Sequence, residues 1–347
     1  MESVSKAPAA QWRHPVWSTA RKSCVGTALG TSKLWFTTGS GIITEVFYPR
    51  IDIPQVRDLG FIIADDQGFW QELKTLPEPA LELDDPQVPL PIIRHHHARF
   101  DFTIKVCADP DRDVLLIDFQ LEGDSSLRPY LLCSARLGED AENNRAWVGN
   151  WEGRKVLWAE QGPFGLALAC RNAAGYAALE RCSVGEVGAS DLWQDFHEHG
   201  RMLWEYGEAG PGEVALAGQM PRQGTLALGL GSSKEAAATN AWSALANGFQ
   251  ATSSSYTDLW QAWHKKHPRP RNFASKLPNT AKTLYARSKN ILKVHEDRTF
   301  PGALVASLSV PWGEASTSRG GYHLVWSRDL VESAGALVLS LIHISEP

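Results

Sequence analysis

Two patterns of hydrophobic and polar residues follow one another along the 347 residues of this chain. As far as Gly231 the apolar residues form short runs, which Gly, Pro, Asp or Asn separates at close intervals. This spacing is typical of antiparallel strands and turns, and not of alternating strand and helix units. The strand candidates are residues 41–49, 112–123, 129–137, 162–171, 212–220 and 224–231. The first part of the chain is therefore predicted to be an antiparallel β-sandwich or barrel.

After these strands the apolar residues recur three or four positions apart, which is helical spacing. A helical region is predicted over residues 232–266, and Ser232 with Glu235 has the form of a capping box at its start. The Pro-rich, basic stretch at 267–273 indicates a boundary, and residues 279–298 again fit a helix. The second part of the chain therefore begins as a helical region.

The overall composition narrows the range of partners. The formal net charge is −5 and no long run of Lys or Arg occurs, which argues against nucleic acid or an anionic membrane as a partner. The five cysteines show no CxxC spacing, so buried free thiols are expected instead of disulfides or a zinc site. No apolar run approaches the roughly 20 residues of a membrane span, and the N-terminus has no signal-peptide core. We expect a soluble, cytoplasmic protein without a cofactor, with secretion as the alternative if the natural N-terminus lies further upstream.

Two other motifs resemble metal sites only in part. In "RHHHARF" (94–100), strand alternation places His95 and His97 on one face. No third ligand lies at a suitable spacing, so a solvated strand edge is predicted there. The acid-rich stretch at 108–113 lacks the central Gly and terminal Glu of an EF-hand loop and is predicted to be a turn. No metal site is expected.

A pair of opposite charges, Arg328 and Asp329, begins an apolar helical stripe within "GGYHLVWSRDLVESAGALV" (320–338). Asp329 with Glu332 could cap the helix, because a carboxylate there bonds free backbone N–H groups. Capping leaves Arg328 unexplained, since neighbouring helical side chains do not face each other. The alternative is that both residues hold a sugar, Arg328 donating and Asp329 accepting hydrogen bonds. Aromatic residues that suit the face of a sugar lie close by at Trp312, Tyr322 and Trp326.

Two stretches of the chain carry a resemblance to a known family. "PGALVASLSVPWGEA" (301–315) followed by "GGYHLVWSRDLVESAGAL" (320–337) resembles the start of the catalytic domain of glycoside hydrolase family 15, the family of glucoamylases and glucodextranases. The stretch that begins "CVGTA" at Cys24 and runs to Asp65 resembles the β-sandwich that precedes this domain in bacterial members. The resemblance implies a β-sandwich followed by the first helices of an (α/α)6 barrel. It also implies an inverting, exo-acting glucan 1,4-α-glucosidase that releases β-glucose from the non-reducing ends of α-glucans.

The resemblance also implies roles for residues of the motif. Arg328 and Asp329 would hold hydroxyl groups of the terminal glucose, and Tyr322 would lie near the reacting sugar. Trp326 and Trp312 would form walls of the pocket. The general acid and base of the family are glutamates downstream of the Arg-Asp motif. They are expected beyond the C-terminus of this chain, so no catalytic residue is assigned.

Four segments are predicted from these features. They are an N-terminal extension at 1–21, a glucodextranase-like sandwich at 22–231, a helical linker at 232–270, and the truncated start of the (α/α)6 catalytic domain at 271–347. A barrel of twelve helices needs more residues than the last segment supplies. The tail "LIHISEP" (341–347) breaks the helical stripe, and we expect it not to be native to the family. The chain is therefore predicted to be a fragment that does not hydrolyse glucans by itself.

Two other functions fit parts of the same sequence. A disaccharide phosphorylase has a similar barrel, and phosphate-dependent release of glucose 1-phosphate would distinguish it. A non-catalytic carbohydrate-binding sandwich would keep its affinity for glucan without the helical region. The sandwich is expected instead to brace the barrel, because the motifs that match sugar chemistry all lie after residue 300. The expected partner is an α-glucan or oligosaccharide substrate.

Overall fold

The computed structural model describes residues 5–9, 19–77, 79–139, 142–268, 278–311 and 320–340. Within them, strands occupy the first two thirds of the chain and helices the last third, with one short α-helix and two 3₁₀ helices, Leu73–Thr75 and Leu137–Glu139, between strands. The strands are β1 Cys24–Thr27, β2 Trp35–Gly39, β3 Ile42–Phe47, β4 Pro54–Ala64, β5 Trp70–Glu72, β6 Ala80–Glu82, β7 Ile92–His97, β8 Phe100–Ala108, β9 Val114–Gly123, β10 Arg128–Ala135, β11 Asn144–Trp151, β12 Arg154–Gln161, β13 Phe164–Asn172, β14 Glu180–Glu186, β15 Glu208–Gly212, β16 Val214–Gln219 and β17 Gln223–Gly231. The helices are α1 Leu192–His199, α2 Lys234–Asn247, α3 Phe249–Lys266, α4 Asn279–Val294 and α5 Ser327–Leu339.

The strands form two sheets in which all neighbouring strands are antiparallel. The first sheet has eight strands in the order β1-β2-β3-β4-β10-β16-β14, with β5 paired to β4. The second has nine strands in the order β15-β11-β12-β13-β17-β9-β8-β7-β6. The predicted N-terminal antiparallel sandwich followed by helices is therefore confirmed.

The main core lies between the facing sides of the two sheets, because alternate residues of each strand point inward. In β8, Phe100 and Phe102 are buried while Asp101 between them is exposed. The Phe102 ring packs against Phe61 of the first sheet, with ring centroids 5.3 Å apart, and against Phe119 of its own sheet at 6.3 Å. These tilted and offset aromatic contacts join the two sheets at the centre of the sandwich.

The turn between β4 and β5 shows how local sequence closes a hairpin in this sandwich. Asp65 Oδ1 accepts hydrogen bonds from the backbone N–H groups of Gln67 and Phe69, at 2.9 and 3.0 Å. Gly68 has a φ of 99°, a backbone conformation that favours glycine. The Asp side chain thus replaces backbone partners within the turn, as is usual for Asx turns.

Helix α2 packs on the outer face of the second sheet, where small residues allow a close approach. Ala237 and Ala241 are fully buried in the small core between α2 and this sheet. A Cβ atom at Gly229 of β17 would lie 2.3 Å from the carbonyl oxygen of Ala237. Only glycine fits at that position, so the strand and the helix are matched in shape.

The start of α2 differs by one residue from the predicted capping box. Ser233, and not Ser232, is the N-cap residue, and its side-chain oxygen accepts a hydrogen bond from the backbone N–H of Ala236 at 3.2 Å. Helix ends depend on backbone angles that sequence patterns define only to within a residue or two. The predicted serine N-cap is confirmed, but it lies at Ser233, one residue after the predicted position.

Helix α3 runs back over the sandwich and is held there by two aromatic residues. The Tyr256 hydroxyl donates to the carbonyl oxygen of Pro89 at 3.1 Å, and the Trp260 indole N–H donates to that of Thr27 at 3.1 Å. Both side chains are completely buried. Buried hydroxyl and indole groups need such partners, so these bonds fix the position of α3 on the sandwich.

Helices α4 and α5 form the C-terminal end of the described chain. His264 Nε2 of α3 lies 2.7 Å from Asn290 Oδ1 of α4, and Asn290 Nδ2 donates to the carbonyl oxygen of Pro86 at 3.1 Å. This network joins α3 and α4 to the sandwich.

Some large apolar side chains on α4 and α5 are at least half exposed, namely Leu284, Ile291, Val331, Val338 and Leu339. Among the described residues, no helix combines the length and the apolar character that a membrane span requires.

Candidate functional site

The loop that leads into α5 is anchored before it reaches the predicted sugar-binding residues. The backbone N–H of Ser307 donates to the carbonyl oxygen of Tyr322 at 2.9 Å, and that of Ala306 donates to Leu324 at 3.0 Å. The His323 side chain is buried and meets the ring of Phe47 edge-on, with centroids 5.2 Å apart. The loop therefore rests on β3 of the sandwich, which positions the start of α5.

Two glycines shape the turn in which Trp326 sits. Gly320 and Gly321 have φ values of 59° and 72°, which glycine adopts without strain. The carbonyl oxygen of Gly321 accepts hydrogen bonds from the Trp326 indole N–H at 2.8 Å and from the backbone N–H of Leu324 at 3.2 Å. The Trp326 side chain is 48% exposed. Its polar edge is thus fixed by the turn while much of the indole ring remains open to solvent.

The alternative that Asp329 caps the helix is not borne out. The N-cap residue is Trp326, which makes no side-chain capping bond, and Asp329 lies within the first helical turn. The first turn of a helix still favours a carboxylate, because the positive end of the helix dipole lies there. Asp329 therefore suits its place electrostatically without capping the backbone.

Arg328 and Asp329 approach each other, although adjacent helical residues were not expected to pair. Arg328 Nη2 lies 3.4 Å from Asp329 Oδ2, and the two side chains are 81% and 37% exposed. Such an exposed ion pair contributes little to stability. The pair presents a cluster of hydrogen-bond donors beside two acceptor oxygens at the surface, in the helical turn that directly follows Trp326.

The other residues considered for the site lie in different surroundings, and one of them is outside the described residues. Tyr322 is half-buried in the loop before Trp326, and its side chain has partners within the protein. Trp312 lies outside the described residues, so its predicted role stays a prediction. Glu332 is exposed on α5 and makes no capping bond. The structure therefore groups Trp326, Arg328 and Asp329 at the start of α5, with Tyr322 in the adjoining loop.

Sequence reasoning missed the contacts that hold the start of the helical region on the sandwich. Asp297 is 5% exposed, and its Oδ2 accepts a hydrogen bond from the backbone N–H of Ile51 at 3.0 Å. Its Oδ1 accepts from Thr299 and Phe300 at 2.7 and 2.8 Å. No local sequence signal marks a partner about 250 residues away, which explains the omission.

Strand β7, which carries His95 and His97, does not form a solvated edge at His95, contrary to the prediction. His95 is 1% exposed, and its Nε2 lies 2.9 Å from the carbonyl oxygen of Gly41, in the turn between β2 and β3 of the other sheet. Burial lowers the pKa of His95, with the bond to Gly41 as a smaller opposing effect. Among the described residues, no group of three or more His, Cys, Asp or Glu side chains is placed to hold a metal ion.

A cavity of about 280 Å³ lies between β1 and α4, close to the anchored loop. Residues on its wall include Lys22, Cys24, Arg287, His295 and Ser309. No carboxylate is found among the described residues that line it. The cavity therefore lacks the acidic pair that glycoside hydrolysis requires, and the start of α5 remains the better candidate for sugar recognition.

Comparisons with known proteins match the two parts of the chain separately. Residues 7–265 match the family described as glucodextranase, domain N, and residues 279–345 match glycosyl hydrolases family 15. The first match runs through α2 and into the end of α3, and the second begins at α4. The predicted segment boundaries themselves stay predictions. The second match also extends into the tail at 341–347, which lies outside the described residues.

Two relatives cover nearly the whole chain. A glucoamylase from Clostridium sp. (strain G0005) is 30% identical over an alignment of 335 residues, and the alignment covers 93% of this chain and 46% of that protein. A crystal structure of a bacterial glucoamylase complexed with acarbose has a TM-score of 0.89 and 27% identity, and the similarity covers 98% of this chain and 51% of that one. The chain spans about half the length of these relatives. Its helices after the sandwich therefore fit an incomplete helical barrel.

Proposed function

This chain belongs to glycosyl hydrolase family 15, with a glucodextranase N domain in front, and we propose that it is part of an inverting, exo-acting glucan 1,4-α-glucosidase. The enzyme would release β-glucose from the non-reducing ends of α-glucans. Support comes from the glucoamylase relatives, one of which was solved with acarbose. The N domain would support the catalytic domain through α3 and the Asp297 contacts.

The single observation that carries the proposal is the exposed pair Arg328–Asp329 in the first turn of α5, which closely follows the half-exposed Trp326 along the chain. A terminal glucose offers hydroxyl groups on its edge and C–H groups on its face. The guanidinium donates to hydroxyl oxygens, the carboxylate accepts from hydroxyl groups, and an indole face suits the C–H face. Tyr322 in the adjoining loop would contact the same sugar.

The chemical step needs two further groups. Inverting glycosidases use one carboxylic acid to protonate the leaving oxygen and one carboxylate to activate water, roughly 6.5–9.5 Å apart. We assign neither role to Glu332, which lies next to the proposed binding residues on α5. The acid and base would come from later parts of the family 15 domain, so the 347-residue chain would bind sugar without hydrolysing it.

Replacing the charged pair in a longer protein that carries the complete family 15 domain tests this function. Arg328→Ala and Asp329→Asn should each lower kcat/KM for maltotetraose about 10- to 100-fold, because hydrogen bonds to charged groups contribute roughly 1.5–3 kcal/mol. Arg145→Ala, at an exposed position of β11, is the matched control. Unchanged rates in both variants would overturn the assignment, and phosphate-dependent release of glucose 1-phosphate would point to a phosphorylase instead.

A further inference from the structure

A second open cleft lies on the sandwich, where the second sheet meets the junction of α2 and α3. Its volume is about 670 Å³, which falls within the range of roughly 300–1,000 Å³ that small-ligand sites occupy. The lining residues that matter here are Asp118, Arg171, Gln223, Asn247, Phe249 and Gln250. None of them belongs to the loop or helix that carries Arg328.

Strand register builds the floor of this cleft. Thr225 of β17 lies directly between Asp118 of β9 and Arg171 of β13, so the three residues form a row across adjacent strands. The neighbours of Asp118 along its strand, Ile117 and Phe119, are buried in the core between the sheets, so Asp118 faces outward. Thr225 Oγ1 donates to Asp118 Oδ1 at 3.2 Å and fixes that carboxylate.

The helix junction forms the wall of the cleft. Arg171 Nη1 donates to the carbonyl oxygen of Leu245 at 2.5 Å, which ties the end of α2 to the row of strand residues. Gly248 then has a φ of 86° and allows the sharp change of direction into α3. This turn brings Phe249 and Gln250 over the floor, and Phe249 is half-buried.

Polar groups in the cleft remain available to a ligand. Gln223 and Gln250 are exposed, and among the described residues their side-chain amides have no hydrogen-bond partner. The first turn of α3 receives no side-chain cap, because its N-cap is Gly248. The cleft therefore offers amide donors and acceptors, and the half-buried Phe249 is also among its lining residues.

The charges of the lining residues indicate a neutral ligand. Asp118 would repel a phosphate or carboxylate ligand, and Arg171 would repel a metal ion or an amine. Amides, one carboxylate, one guanidinium and an aromatic ring together match a molecule with many hydroxyl groups and an apolar face. We propose that this cleft binds a neutral oligosaccharide, so that the sandwich carries a sugar site of its own. That the oligosaccharide is an α-glucan rests on the proposed function.

Binding of maltotetraose to the 347-residue chain, measured by isothermal titration calorimetry, tests the proposal. The double variant Gln223→Ala/Gln250→Ala should bind at least about tenfold more weakly, the effect of losing roughly 1.4 kcal/mol. Gln67→Ala, an exposed glutamine in the β4–β5 turn, is the matched control and should bind like the parent chain. Absence of saturable binding of both maltotetraose and cellotetraose, or equal affinity in the double variant, would overturn the cleft site.

A third variant separates this site from the start of α5. Arg328→Ala should leave the cleft-dependent binding of maltotetraose in place. Binding that disappears in Arg328→Ala and persists in the glutamine double variant would overturn the cleft site while supporting the proposed function. Cleft-dependent binding of cellotetraose without any of maltotetraose would support the ligand class and overturn its assignment as an α-glucan.

Discussion

The sandwich and the C-terminal helices of this chain bury their apolar side chains to different degrees. In the sandwich, Trp35, Phe61 and Phe102 are completely buried between sheets that cover each other. On α4 and α5, apolar residues such as Leu284 and Val331 are 66% and 69% exposed. The small core at this end consists of Leu304 and Leu337, with Trp263, Leu292 and Leu330 packed beside them.

This difference indicates how each region is stabilised. Removing apolar surface from water contributes about 25 cal/mol per Å², so a region that buries little of its apolar surface gains little from folding. The sandwich supplies its own core. The end helices depend on the sandwich, through α3 and the network of His264 and Asn290, and we propose that later helices of the family 15 domain cover their exposed faces.

Among the variants considered, truncating a central aromatic residue of the sandwich should cause the largest loss in the free energy of unfolding. Phe102→Ala is expected to lower the free energy of unfolding by about 3–5 kcal/mol, because it leaves a cavity between Phe61 and Phe119. Urea unfolding followed by tryptophan fluorescence measures the change. Phe300→Ala is the matched control, since Phe300 is 57% exposed and its loss should cost less than about 0.5 kcal/mol. Similar losses in both variants would contradict the division between the two regions.

The strands could be predicted because their signals are local. Alternation of apolar and polar residues and the turn residues between them placed a strand at 112–123, and the structure has β9 at Val114–Gly123. The motif proposed to bind sugar was also local, since Tyr322, Trp326, Arg328 and Asp329 lie within one short stretch. Short-range patterns of this kind need no knowledge of the fold.

The features that escaped prediction depend on register or on distant partners. The row of Asp118, Thr225 and Arg171 exists only because of the pairing of three strands far apart in sequence. His95 was predicted to lie at a solvated strand edge, because no residue near it in the sequence indicates its contact with the carbonyl oxygen of Gly41. The capping alternative for Asp329 failed because local sequence does not define the backbone angles of a helix end.

Removing one hydrogen bond between α3 and the sandwich should have an intermediate effect. Trp260→Phe removes the indole N–H that donates to Thr27 and leaves that buried carbonyl oxygen without this partner. The expected loss in the free energy of unfolding is about 1–3 kcal/mol. Trp263→Phe is the control, since among the described residues its indole N–H donates to no acceptor. Equal stability of the two variants in urea would show that α3 is not held by this bond.

The junction of α3 and α4 should make stability depend on pH. Burial lowers the pKa of His264, partly offset by its bond to Asn290. As the pH falls through about 6.5, the unfolded chain therefore takes up a proton before the folded chain does, and stability declines. The stability of the His264→Gln variant should decline less steeply than that of the parent chain between about pH 7 and about pH 5. Burial also lowers the pKa values of His95, His267 and His295, so part of the slope should remain.

Thermal unfolding at several pH values measures this slope. The control is His197→Gln, which makes the same substitution at an exposed histidine on α1, away from the α3–α4 junction. A slope in His264→Gln as steep as that of the parent chain would contradict a role for the α3–α4 junction in the pH dependence.

The smallest expected effect comes from an exposed apolar residue of α5. Val331→Thr keeps the shape and a similar helix propensity, so it should change the stability of this chain by less than about 0.5 kcal/mol. Val294→Thr, at a completely buried position of α4, should already cost about 1–3 kcal/mol, because the hydroxyl group loses water. In a longer protein with the complete family 15 domain, Val331→Thr should cost as much as Val294→Thr. A Val331→Thr variant that remains neutral in that longer protein would show that later helices do not cover this face of α5.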